Sequence, residues 1–347
     1  MEESRSHDSQ ESRFGKPMGA NDRRLMRRSF IALAAAALAA TAGAAAETVP
    51  SWAFFFPQEG KPQNAADEGT LTLPGSPVRL TRAEVDNLKK PPDWFPSAHV
   101  APPAAVVQGN AAPLGFACSA CHLMSGMGQP ESSSLAGEPT AYLARQMSDF
   151  RTGARANAIK GADGKPQNNG VQVMIGIAKA WPESDANAAI EYFASLKPKK
   201  WVKVVEAKSV PRTYINHGYK LLARPEGGTE QLGARIVELA QNVERQLLRD
   251  PNSGTIAYVP IGSVRRGKVL VSRGEAQCGA CHGADLRGND DIPSIAGRSP
   301  LYIFRQLYFL KDRSRNGSMA SLMYPAVDTL TQSQMIDVAA YLATLPP

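Results

Sequence analysis

With 347 residues, of which 43% are hydrophobic and 20% charged, the chain exceeds one ordinary domain and is too apolar to remain unfolded. Its formal charge of +7 is modest and gives no support for nucleic-acid binding. Beyond the N-terminal segment, no stretch reaches the ~18 apolar residues of a membrane span.

In chain order, Arg23, Arg24, Arg27 and Arg28 come first, before an Ala-rich apolar run from Phe30 to Ala46 that ends Ala44-Ala45-Ala46 ahead of Glu47. This layout predicts a secretory signal peptide over residues 1–46, hence a periplasmic chain with no transmembrane segment after cleavage. The 17-residue run is short and weakly apolar for an uncleaved anchor. Cleavage lowers the formal charge from +7 to +5.

Residues 47–104 form a Pro-rich extension with two aromatic groups, Trp52-Ala-Phe-Phe-Phe56 and Pro91-Pro-Asp-Trp94-Phe95-Pro96. Few regular elements are expected there. The aromatics read as a staple onto the body, because exposed apolar patches are uncommon on soluble proteins.

The four cysteines sit in two identical settings, Cys118-Ser-Ala-Cys121-His122 and Cys278-Gly-Ala-Cys281-His282. Disulfides are the default in an exported chain, but C-x-x-C-H is the haem-attachment signature. The 156 residues between the pairs do not match the spacing of a zinc ribbon. Two thiols three positions apart can each add to one porphyrin vinyl group, and the following imidazole then lies beneath the iron. Two covalent haems c are expected, held by Cys118, Cys121 and His122 and by Cys278, Cys281 and His282.

The surroundings of the two motifs repeat. A shift of 160 residues places His122 on His282, Tyr142 on Tyr302, Arg145-Gln146 on Arg305-Gln306 and Arg155 on Arg315. The register then becomes 149, because the first copy has an 11-residue longer loop around 161–170. That register superimposes Tyr192 on Tyr341 and Met174 on Met323. Each methionine precedes a final amphipathic helix, expected over 182–196 and 331–345. A thioether on a loop opposite the histidine is the expected sixth ligand, with Met319 the competitor of Met323. Met124, Met127 and Met147 read as packing.

Between the repeats, residues 201–262 predict a small mixed α/β insert. Its expected strands, 201–205 and 255–260, flank an amphipathic helix carrying Leu232, Ile236, Leu239, Val243 and Leu247.

These residues resemble class I c-type cytochromes, and the tandem arrangement is similar to the dihaem cytochromes c4, over residues 105–198 and 263–347. The resemblance implies an all-α fold of two cytochrome c-type domains, 105–200 and 263–347. In each, N- and C-terminal helices cross and one haem has His and Met ligands. It also implies a backbone carbonyl, commonly proline's, accepting a hydrogen bond from the proximal histidine; Pro293 fits that place, and the first repeat has Ser133. Tyr142, Arg145, Gln146 and their mates resemble the family's middle helix, and read as packing plus a solvated arginine.

A six-coordinate iron leaves no position for a substrate, so the expected role is electron transfer between donor and acceptor proteins, such as a dehydrogenase and a terminal oxidase. The alternatives are the cytochrome subunit of a dehydrogenase complex, or a dihaem redox enzyme. A peroxidase-like enzyme would need an opening iron and a distal histidine from His99 or His217. A thiosulfate-oxidising dihaem enzyme would use a cysteine ligand, and no fifth cysteine exists.

Overall fold

The aromatic lead is anchored rather than free. Trp52 packs against Phe304 with ring centroids 4.6 Å apart and the planes tilted by 41°, and Phe54 meets Phe309 at 5.3 Å. The wholly buried Trp94 joins Leu73 and Val85 in a satellite core and donates its indole N–H to the Leu248 carbonyl at 2.7 Å. Among the described residues of this stretch, helical structure is limited to single turns such as Arg82–Val85, which Thr81 and Glu84 close with a reciprocal capping box. The computed structural model describes residues 49–54, 69–156, 159, 170–216, 220–273 and 277–347, all within one unit. The expected signal segment 1–46, the long loop around 161–169 and His217 lie outside them. Among the described residues no helix is long and apolar enough to cross a membrane.

Around the first motif lie helices Ala104–Val107, Ser119–His122, Thr140–Thr152, Gly170–Ala180 and Glu183–Ser195. Around the second lie Ser263–Arg273, Gly279–His282, Pro300–Lys311, Tyr324–Asp328 and Gln332–Thr344. The last helix begins at Thr331, whose hydroxyl accepts from the Gln334 amide in a second capping box. It buries Met335, Ile336, Val338, Ala339 and Leu342 in the main core, the face its three- and four-residue spacing predicts. Helix Ser263–Arg273 crosses it at Gly267, where a Cβ would stand 1.9 Å from the Asp337 carbonyl oxygen. Arg266 locks the crossing by donating to both Asp337 carboxylate oxygens, at 2.7 and 2.8 Å.

The strands lie between the two helical sets. β1 (Val202–Glu206) and β7 (Thr255–Val259) form where strands were expected and pair in parallel, while β6 (Val237–Ala240) runs antiparallel to β7. β2 (Ser209–Pro211) pairs with β5 (Thr229–Gln231), and β3 (Thr213–Ile215) with β4 (Leu221–Ala223). The helix expected from Leu232 to Leu247 is a correction: only Val243–Leu247 is helical, capped by the Asn242 side chain. Leu232, Ile236 and Leu239 are buried as the spacing implied, but through β6 and its approach. A short apolar run reads the same as a buried helix or a buried strand, and the open edge of β7 decides it. Val202 and Ala257 of this sheet pack with Leu123, Met127 and Ala136 from the first set and Ala343 from the second.

The two sets also meet directly, through residues that the repeat superimposes. Arg155 and Arg315 face each other across an antiparallel bridge, with Ala156 N–H donating to the Ser314 carbonyl and Asn316 N–H to the Ala154 carbonyl, both at 2.8 Å. Arg155 donates to Gln306 at 2.8 Å and the Tyr302 hydroxyl at 3.1 Å; Arg315 donates to Gln146 at 2.9 Å and the Tyr142 hydroxyl at 3.2 Å. Each arginine thus binds the opposite copy's tyrosine and glutamine, as in a two-fold interface folded into one chain. The middle-helix residues expected to be packing are this contact, and Arg145 is paired with Asp291 at 2.9 Å rather than only solvated. Glu138 and Arg298, superimposed by the same shift, form a buried ion pair at 2.7 Å.

Arg155→Ala removes hydrogen bonds to the Tyr302 hydroxyl and to Gln306 and Gln146, and both glutamine oxygens keep their bond from Arg315. It should lower stability by about 1–3 kcal/mol, read as a reduced midpoint in urea unfolding of the holoprotein.

Candidate functional site

Each motif is a single helical turn. His122 N–H donates to the Cys118 carbonyl at 3.1 Å and His282 N–H to the Cys278 carbonyl at 3.0 Å. A three-residue separation on a helical turn puts both thiols of a pair on one side, and the histidine stacks one turn above the first cysteine. No disulfide joins the four cysteines, so the disulfide reading falls away. Burial pushes the Cys118 thiol up to about 12 and also raises Cys121 and Cys278. Among the described residues no group of three or more His, Cys, Asp or Glu is placed to hold a metal ion by itself.

Both histidines are buried, and each is oriented by a backbone carbonyl eleven residues on: His122 Nδ1–H donates to Ser133 and His282 Nδ1–H to Pro293, both at 2.8 Å. The carbonyl only accepts, so Nδ1 carries the proton and Nε2 presents a lone pair. Burial holds both imidazoles below the usual histidine range, which favours the neutral, ligating form.

The carbonyls are positioned by two glycines that sequence reasoning missed. Gly128 donates to the His122 carbonyl at 3.0 Å and Gly288 to the His282 carbonyl at 2.8 Å. At Gly128 (φ +72°) a Cβ would stand 2.5 Å from Ser133 O; at Gly288 (φ +77°) one would stand 2.1 Å from Ile292 O and 2.9 Å from Pro293 O. The signal was available: the two glycines superimpose at the 160-residue shift.

Residues 264–346 match the family model described as Cytochrome c. Cytochrome c-554(548) of Halomonas halodenitrificans is 35% identical over 68 residues, 19% of this chain and 82% of that relative. The chain belongs to the cytochrome c family. The thiosulfate dehydrogenase electron acceptor of Thiomonas intermedia (strain K12) is 29% identical over 239 residues, 68% of this chain and 82% of that protein. Cytochrome c4 of Thiocapsa roseopersicina is 40% identical over 72 residues, 20% of this chain and 34% of that relative. Like its relatives, this cytochrome is an electron-transfer protein rather than an enzyme in its own right, and its family holds haem covalently.

The residues present fit haem. Beside the second motif a cavity of about 520 Å³ is lined by Val271, Gln277, Gly279, Ala280, Leu286 and Tyr341 among others, so the attachment turn itself forms part of its wall. In the first set, Cys118 and Met174 lie against one apolar cluster that includes Trp181, Tyr192 and Phe193, and the Phe193 ring stands 6.1 Å from that of His122. In the second, Cys278 and Met323 pack against the main core, whereas Met319 is 39% exposed. Neither methionine is on a loop as expected. Met174 is inside helix Gly170–Ala180, whose Gly176 admits Leu114 to within 2.2 Å of an added Cβ, and Met323 ends the 3₁₀ turn Ala320–Met323. Local apolar spacing at Val171, Val173, Met174 and Ile177 is enough to extend helix through the position. His99 accounts for itself: its Nε2 lies 3.0 Å from Asp93 and its ring packs edge-on to Tyr192.

Gly288→Ala should destabilise the holoprotein by at least about 1–2 kcal/mol through the positive φ alone, in the same unfolding measurement.

Proposed function

We propose that this cytochrome is an exported, periplasmic carrier with two haem domains, 105–200 and 263–347, each holding one haem c between histidine and methionine. Cys118 and Cys121 would attach the first and Cys278 and Cys281 the second, with His122 and Met174, and His282 and Met323, as axial pairs. The observation that carries this reading is the identical orientation of the two histidines, each Nδ1 held at 2.8 Å by a carbonyl so that Nε2 is free. Haem supplies one-electron exchange between ferric and ferrous iron. The chain's contribution is to keep the imidazoles neutral and aimed, to exclude water with Phe193, Trp181 and the main core, and to present thioethers, which favour the ferrous state.

The donor is proposed to be a periplasmic dehydrogenase and the acceptor a further redox protein, such as a terminal oxidase. The dehydrogenase is favoured by the relative in Thiomonas intermedia, which is named for accepting electrons from one. Haem quantification of the exported protein as the pyridine adduct should give two haems per chain, and Cys118→Ala/Cys121→Ala should retain one. In the oxidised protein the weak sulfur-to-iron band should have full strength for two haems and fall to about half in Met174→His or Met323→His. A wild-type band at half strength would mean that one iron lacks a thioether.

A further inference from the structure

The two attachment turns are alike in sequence but not in what surrounds them. Against the first, Arg249 reaches over from the end of helix Val243–Leu247. Its Nη1 donates to the carbonyl of Ala120, the residue just before Cys121, and its Nε to the Val85 carbonyl at 3.2 Å. Arg249 is held in a left-handed backbone conformation, φ +56°, which disfavours any side-chain-bearing residue and persists only where neighbours enforce it. The enforcement is visible one residue earlier, where the Leu248 carbonyl accepts the buried Trp94 indole N–H. Lys220, in the loop before β4, lies in the same enclosure, donating from Nζ to the Gln246 carbonyl at 3.2 Å. The two residues meet at that carbonyl, which also accepts the Arg249 backbone N–H at 3.0 Å.

Opposing charge is incomplete. Glu131 accepts from the Leu221 amide at 3.4 Å and faces Lys220 and Arg305; burial raises its carboxyl and likewise lowers the Lys220 ammonium to about 8. Asp86 is the other acid in reach of both cations, and it is more than half exposed and 3.9 Å from Arg82. At the second turn the equivalent Ala280 and the following Cys281 are exposed, and the adjoining cavity is lined by uncharged side chains. The repeat therefore built two similar turns, and among the described residues the insert places positive charge on the first of them alone.

We propose that Arg249 and Lys220 set the reduction potential of the haem at Cys118 and Cys121, raising it while leaving the haem at Cys278 and Cys281 unaffected. The inference rests on haem attachment at the first motif. Ferric iron carries one more positive charge than ferrous, so a fixed cation in a partly enclosed site disfavours the oxidised state. With haem held by Cys118, Cys121 and His122, one electron accepted from a reduced redox protein would convert ferric to ferrous iron with no bond made or broken, and the two cations would favour that reduced state. They are positioning residues, acting on the iron through space rather than by ligation.

The test is a mediated optical redox titration of the holoprotein, resolving two one-electron waves; the wave missing from Cys118→Ala/Cys121→Ala identifies the first haem. Arg249→Gln and Lys220→Gln should each move that wave negative, by about tenfold in the one-electron equilibrium constant or 59 mV, with the second wave unmoved. Arg249→Lys, which keeps the charge, should restore most of the shift. Equal movement of both waves, no movement, or failure of the lysine variant to rescue would overturn the proposal. Should Arg249→Gln not accumulate, Lys220→Gln decides alone, since the described hydrogen bond of its side chain is a single one to a backbone carbonyl. A haem count of one in the wild-type protein would instead refute the dihaem reading on which the inference stands.

Discussion

A histidine can ligate iron through Nε2 in a fixed direction only if its other nitrogen is held, and the hydrogen bond from Nδ1 to a carbonyl eleven residues later is the constraint around which each half is arranged. It requires the chain to return past its own attachment turn, which it does at Leu123 and Gly283, both with positive φ. It requires the returning backbone to pass within van der Waals reach of the loop, which glycine at 128 and 288 permits. The final helix of each set then closes over the site: the Tyr192 hydroxyl donates to the Met124 carbonyl at 2.8 Å, and Gly297 N–H donates to the Leu342 carbonyl at 2.9 Å.

The contact between the repeats follows from the same duplication. When one unit is copied and the copies meet about a two-fold axis, each position faces its counterpart's surroundings, so Arg155 and Arg315 exchange the tyrosine and glutamine that lie beside their mates. At another pair of superimposed positions the side chains differ, and Glu138 on one side pairs with Arg298 on the other.

The insert and the aromatic lead break the symmetry more deeply. Trp94, Val85 and Leu248 form a small core of their own, and its effect is to hold the basic end of helix Val243–Leu247 against the first turn. The lead therefore matters to the site through packing: its aromatics fix an arginine that touches the attachment loop.

The sequence by itself determined the two C-x-x-C-H turns, the closing helices and the repeat, because these depend on contacts within a few residues or on a pattern written twice. Strands β1 and β7 were legible for the same reason, as short β-branched runs. Only the tertiary structure decided that 237–240 is a strand, since its spacing suits helix or strand and the free edge of β7 selects between them. Likewise only the fold could reveal that Met174 sits within a helix, that Arg155 binds the opposite copy, and that Arg249 lies on Ala120, 129 residues away in sequence. Those outcomes are set by which distant surfaces are left to bury and which distant acceptors are left to satisfy, and no local pattern encodes either.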